Sequence, residues 1–180
     1  MVKVIIAASN IDITIVKNPH IVNDFRHHDS LKKYISDIYD WDFCQIQYNY
    51  IDEHSQAGRT GLERARELNI PVIIMEPLRG GKLADGLPSK AKKVFESTGI
   101  SPVEWAFRWL WDQDGIMLLL SGMNSEKMVS DNVSYADKAE IGMLSENEKE
   151  LFSKAVKAIN ENIKIPCTGC RYCMPCPNNV

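Results

Sequence analysis

The alternation of apolar and polar positions divides the chain into short strands and amphipathic helices. Two runs, Val72 to Met75 and Ile116 to Leu120, are continuously apolar, the pattern of buried parallel strands, and Val2 to Ala8, β-branched and apolar but for Lys3, also suits a buried strand. A fourth, with its core at Phe43 to Tyr48, alternates instead, and its Gln45 and Gln47 fall on one side. Two glutamines on one strand face suit a surface that meets a ligand, or one where they hydrogen-bond a neighbouring loop. Between Asn10 and Asn23, Ile11, Ile13 and Ile15 alternate with polar residues and fit a further strand or a hairpin.

Helical spacing fills the intervals. Leu31, Tyr34, Ile35 and Ile38 share one face behind an N-cap at Asp29 or Ser30. After the polar loop Asp52 to Arg59, Leu62, Ala65 and Leu68 do the same, with Asn69 and Pro71 as the stop. A short helix is expected over Ser89 to Glu96. Ser101-Pro-Val-Glu104 reads as a capping box with proline at the first helical position. The helix it opens carries Trp105, Trp109 and Trp111, which cannot all face one way, so it is expected to be sandwiched. Ser125 caps a helix with Met128, Val129, Asn132 and Val133. Ser145-Glu-Asn-Glu148 is a second capping box, opening a long helix through Leu151, Phe152, Ala155, Val156 and Ile159.

From Asp29 the order is α, β, α, β, α, α, β, α, α, which argues for parallel strands joined by right-handed crossovers. Chemistry in such folds gathers at the carboxyl ends of the strands. Those ends are Tyr48 to Asp52, the glycine-bearing turn Glu76 to Gly81, and Ser121 to Ser125.

Composition narrows the classes. With 180 residues the chain can build one domain with a real core. A formal net charge of -3 and a pI near 5.8 leave no basic face for phosphate contacts, so nucleic acid is not an expected partner. No apolar run approaches ~20 residues, so no membrane span is expected. The apolar run after Met1 is short and follows a single lysine, which fits a strand better than a signal peptide. A cytoplasmic, reducing compartment suits the unpaired Cys44 and the thiols described next. No internal repeat or low-complexity segment occurs.

Four of the five cysteines, Cys167, Cys170, Cys173 and Cys176, sit near the C-terminus, each two residues from the next. Thiolates so spaced can fold round one centre, as in iron–sulfur sites. The first three match the opening of the bacterial ferredoxin run and Pro177 matches its ending. That run, however, has three residues before its last cysteine, where this chain has only Met174 and Pro175. A [4Fe–4S] cluster is the favoured occupant. Tetrahedral zinc, or an oxidisable tail or pair of disulfides, are the alternatives. The fourth ligand is Cys176, a cysteine from another chain, or an exogenous thiolate or water.

Several stretches together resemble the aldo/keto reductase family, in particular its branch with a C-terminal iron–sulfur segment. They are His28 to Leu31, Asp42 to Tyr50, Ile73 to Leu83, Glu104 to Leu110, Leu120 to Ser125 and the cysteine run. The resemblance implies a (β/α)8 barrel binding NADPH across the carboxyl ends of its strands, with the runs at Phe43, Val72 and Ile116 as its sixth to eighth strands. Such a barrel takes ~250 residues. The expected fold is therefore α/β, a partial (β/α)8 TIM barrel equivalent to the family's C-terminal half, with a short Cys-rich segment. Its regions are 1–28, a divergent strand region; 29–163, the partial barrel; and 164–180, the iron–sulfur segment.

The resemblance also implies roles. Gln45 matches the glutamine that contacts the nicotinamide carboxamide, and Met75 falls where many members stack a tyrosine under the ring. Glu76 to Leu78 match the segment along the pyrophosphate. Gly122, Met123 and Asn124 match the loop around the adenosine phosphate, which here carries no lysine or arginine, and Asn132 matches the asparagine near the adenine. The cofactor implied is NADP(H) or NAD(H). The family's catalytic aspartate, tyrosine, lysine and histidine come from its first four strands, and none can be placed here. The family's glycine and nicotinamide-contacting serine just before His28 are replaced by Asp24 and Arg26. Two functions follow: an NAD(P)H-linked reductase of a small carbonyl substrate, or part of one; or a non-catalytic half-barrel that binds a cluster. In either case the partner is a second copy or a complementing chain.

Overall fold

The computed structural model describes residues 4–7, 42–161 and 175. Four strands, β1 (Val4–Ala7), β2 (Cys44–Gln47), β3 (Val72–Met75) and β4 (Ile116–Ser121), form one sheet in the order β1-β4-β3-β2. Every pairing is parallel, as the alternation of strands and helices predicts. The N-terminal run lies beyond β4 with Val4 opposite Leu118. Helices fill the connections: α1 (Gly58–Glu67) after β2, α2 (Ser89–Glu96) and α3 (Pro102–Trp111) after β3, α4 (Glu126–Asp137) and α5 (Glu146–Asn160) after β4. The helix expected from Asp29, the hairpin region Asn10 to Asn23 and the four clustered cysteines lie outside the described residues.

The two faces of the sheet differ because side chains alternate along a strand. Cys44, Ile46, Val72, Ile74, Ile116 and Leu119 are buried in one core with Leu62 and Ala65 of α1 and Phe107, Leu110 and Trp111 of α3. Gln45, Gln47, Ile73 and Met75 fall on the opposite face and are half-buried. A bulge interrupts the β3–β4 ladder: Val72 pairs with Ile116 but Ile73 with Leu118, leaving Met117 as the extra residue.

A second core joins α2, α3 and α5. Phe152 packs against Tyr50, Phe95 and Trp105 with ring centroids 5.4, 5.9 and 5.5 Å apart. Half-buried Trp109 touches both cores, so α3 is sandwiched as its three tryptophans require. The Arg108 guanidinium lies 4.7 Å from the Trp105 ring centroid and its Nη2 is 2.7 Å from Glu148 Oε1, tying α3 to α5.

Local signals end the helices where the sequence places them. Both halves of the capping box form at Ser145 and Glu148. At α3, Ser101 Oγ accepts from Glu104 N at 3.0 Å and Pro102 occupies the first turn. Asn69 takes the left-handed conformation (φ 55°) just past α1, which stops it. No helix among the described residues is long and apolar enough to cross a membrane.

Candidate functional site

The turn leaving β3 is built from conformations most residues avoid. Glu76 (φ 53°), Arg79 (φ 50°), Gly80 (φ 63°) and Gly81 (φ 84°) all lie in the left-handed region. Glycine adopts it freely, whereas each of the other two costs roughly 1–2 kcal/mol. A buried polar network over-determines them. Asn49, fully buried, donates through Nδ2 to the Glu76 carbonyl at 3.1 Å and to Asp52 Oδ2 at 3.1 Å. Its Oδ1 accepts the backbone N–H groups of Ile51 and Asp52 at 3.1 and 2.9 Å, folding the chain after β2 back on itself. Asp52 Oδ2 also lies 3.3 Å from Arg79 Nε, and both residues are buried. The carboxyl ends of β2 and β3 are thus fastened together beneath the turn.

Beside this turn opens a cavity of about 740 Å³, within the roughly 300–1,000 Å³ of small-molecule sites. Its walls are the turn, the end of β4, the start of α3 and one face of α4. Met75, Glu76, Leu78, Gly122 and Asn132, from three separate segments, all line it. Asn132 is buried and donates from Nδ2 to Ser121 Oγ at 3.2 Å, so its side chain is held in place. Tyr135 Oη and Ser101 Oγ, 3.3 Å apart, brace the wall between α4 and α3. The charged lining side chains among the described residues are Glu76, Asp85 and Asp131.

Three other residues singled out from sequence fall elsewhere. Met123 is buried, Asn124 is exposed, and neither lines the cavity. Gln45 lies on the half-buried sheet face, opposite Ile73 and next to the pair Gln47–Met75. The two glutamines divide the roles their pattern allows. Gln47 joins the loop network, donating to Asp52 Oδ2 at 3.3 Å and accepting from Gln56 Nε2 at 3.1 Å. Sequence patterning misses Asn49, Asp52 and Arg79. The available signal is two turn-forming residues just past a strand end.

The tyrosines at the end of β2 do not have the environment of a general acid. Burial drives both Tyr48 and Tyr50 well above the usual phenol value. The Tyr48 hydroxyl donates to Gln113 Oε1 at 2.8 Å, and the Tyr50 hydroxyl is buried without a hydrogen-bond partner. Burial likewise pushes the Cys44 thiol up to about 12, so it stays protonated and packs as an apolar group. Among the described residues no group of three or more His, Cys, Asp or Glu side chains could hold a metal ion.

The sequence profile of the Aldo/keto reductase family matches residues 22–149. No curated protein matches significantly. Among solved structures, aldo-keto reductase AKR11C1 from Bacillus halodurans is similar in its holo form, with a TM-score of 0.54 and 19% identity over 72% of this chain and 46% of that one. Its apo form gives 0.53 and 19%, over 72% and 47%. An aldo-keto reductase from Klebsiella pneumoniae in complex with NADPH gives 0.48 and 20%, over 62% and 38%. The chain thus spans under half the length of these reductases. Its strands, helices and profile match agree: the chain belongs to the aldo/keto reductase family.

Proposed function

We propose that the chain supplies the dinucleotide-holding part of an aldo/keto reductase barrel and binds NAD(P)(H) in the cavity at the carboxyl ends of β3 and β4. The observation that carries this is the convergence there of Met75, Glu76, Leu78, Gly122 and Asn132. The residues fit such a ligand. The turn offers backbone in left-handed conformations close to the cavity, and Asn132 offers a fixed amide. Gln45, on the sheet face that continues from Met75, suits the nicotinamide end. Bound there, the cofactor supplies the hydride that interconverts a small carbonyl compound and its alcohol. The chain's own residues position and enclose it.

The described residues offer no suited donor for the proton of that reaction. Among them Tyr48 and Tyr50 are buried with their pKa raised, which makes them poor proton donors, and we assign the general acid to a second copy or a complementing chain. The sheet favours such a partner, because β1 and β2 are its edges among the described residues and parallel edges pair readily with further strands. In the same proposal Cys167, Cys170, Cys173 and Cys176 hold a [4Fe–4S] cluster in a reducing, cytoplasmic compartment.

Titration of anaerobically purified protein with NADH and NADPH, followed by nicotinamide fluorescence, tests the site. Saturable binding lost in Asn132→Ala is expected, and no binding of either refutes it. Turnover of a simple aldehyde, run alongside oligomeric mass, separates an active assembly from a binding half-barrel. Iron and sulfide analysis decides the cluster, and zinc in their place would refute it.

A further inference from the structure

We propose that this cavity selects the unphosphorylated dinucleotide, NAD(H), against NADP(H), an inference that rests on the dinucleotide site proposed above. The charged side chains on its walls are Glu76 in the turn, Asp85 beyond it and Asp131 on α4. No lysine or arginine lines it among the described residues. The neighbouring cations among the described residues stand outside the lining, exposed Lys82 of the turn among them. Arg79 is buried against Asp52 beneath the turn. Lys127 Nζ lies 2.6 Å from Asp131 Oδ2 and is itself outside the wall. The loop Gly122-Met-Asn, at the end of β4, is uncharged.

The two cofactors differ only at the ribose that carries the adenine, as a 2′-hydroxyl or as a phosphate monoester with ~1.5–2 negative charges near pH 7. A carboxylate accepts a hydrogen bond from the hydroxyl and repels the phosphate, and an arginine does the reverse, the same chemistry that separates NAD from NADP sites on other folds. Among the described residues the lining carries Glu76 and Asp85, together with Asp131 paired to Lys127, and no cation of its own, so the phosphate would enter a wall of net negative sign. Two like charges about 4 Å apart repel by ~1 kcal/mol even at the dielectric of water, and somewhat more beside protein, which corresponds to a discrimination on the order of tenfold.

Gly122 gives a direct way to reverse this. A Cβ built there meets nothing within 4 Å, and its backbone is not in the left-handed region. Gly122→Lys should therefore place a cation on the wall without displacing anything. Asp131→Asn removes one carboxylate and keeps its shape. The test is fluorescence titration of the full chain with NADH and with NADPH, at low and high salt, for wild type and both variants. Circular dichroism checks that each is folded. The wild type should bind NADH about tenfold or more tighter, the gap should narrow as salt screens the carboxylates, and Gly122→Lys should close or invert it. Equal or tighter binding of NADPH by the wild type overturns the selectivity but leaves the dinucleotide site standing. Failure of both to bind overturns the site itself, and the selectivity with it.

Discussion

Removal of the Asp52 carboxylate should release the turn that walls the cavity. Asp52 is 3% exposed and Arg79 7%, so water screens their charges little. One carboxylate oxygen serves Asn49 at 3.1 Å, Gln47 at 3.3 Å and Arg79 at 3.3 Å. The first two are hydrogen bonds, worth about 1.5–3 kcal/mol each to a charged group, and the third is an ion pair; contacts sharing one atom do not add. The relevant scale is the ~3–5 kcal/mol lost when one partner of a buried ion pair is deleted. Asp52→Ala is therefore expected to lose ~3–5 kcal/mol, a large part of the ~5–15 kcal/mol that holds a domain folded. Asp52→Asn, which keeps an acceptor but not the charge, should lose less.

Urea denaturation followed by circular dichroism measures both. A cycle with Arg79→Met then isolates the pair, and a coupling above ~1.5 kcal/mol is expected for a buried charge pair. Loss of the network should also reach the turn. Glu76 is held in a left-handed conformation by the Asn49 bond to its carbonyl, so amide exchange across Glu76 to Gly81 should accelerate in Asp52→Ala. A cost below ~1 kcal/mol with near-zero coupling would mean that the pair holds nothing.

Other perturbations probe separate parts of the fold. Gly58→Ala should destabilise by more than ~1 kcal/mol in the same denaturation assay, because Gly58 has φ 53° and a Cβ there would sit 2.5 Å from the Glu53 carbonyl oxygen. Ser145→Ala removes the hydroxyl half of the α5 capping box and should cost ~1 kcal/mol, a fall in Tm of about 2–4 °C by calorimetry. Alkaline pH should also unfold the chain. Burial raises Cys44 from 9.0 to about 12 and raises Tyr48 and Tyr50 as well, so their neutral forms are favoured in the folded state. Their contribution is complete below the unfolded values and is lost as pH rises through 9 and beyond, at up to ~1.4 kcal/mol per pH unit per group. Cys44→Ala should flatten the start of that decline in stability measured between pH 8 and 11.

Much of the sheet is legible in the sequence because its information is local. Val72 to Met75 and Ile116 to Leu120 are short and apolar without interruption, which marks them as strands, although their second face is half-buried where the pattern implies full cover. The N-caps at Ser101, Ser125 and Ser145 need only the next three residues and all three form, although of the two expected capping boxes the reciprocal glutamate bond is made at Ser145 and not at Ser101. The network under the turn is different. Asn49 reaches the Glu76 carbonyl across 27 residues, and nothing local distinguishes Asp52 from a solvated loop aspartate. Its partner Arg79 sits in a segment whose glycines announce a turn but not which side chain the turn will bury.

The helix α4 shows most clearly why a site can be half visible. By hydrophobicity alone it would turn Met128, Val129 and Val133 inward, yet these are 42%, 42% and 50% exposed. Asn132 points inward instead, and Asp131 and Tyr135 are half-buried beside it. The helix is rotated because polar groups wait beneath it: Ser121 at the end of β4 receives Asn132, and Ser101 at the start of α3 meets Tyr135. A buried amide with a partner costs little, whereas a valine driven against two hydroxyls would leave them unsatisfied. The consequence is a cavity whose far wall sets Asp131, Asn132 and Tyr135 beside Met128. The violation of the hydrophobic pattern in α4 and the ligand-holding character of the cavity therefore have one cause.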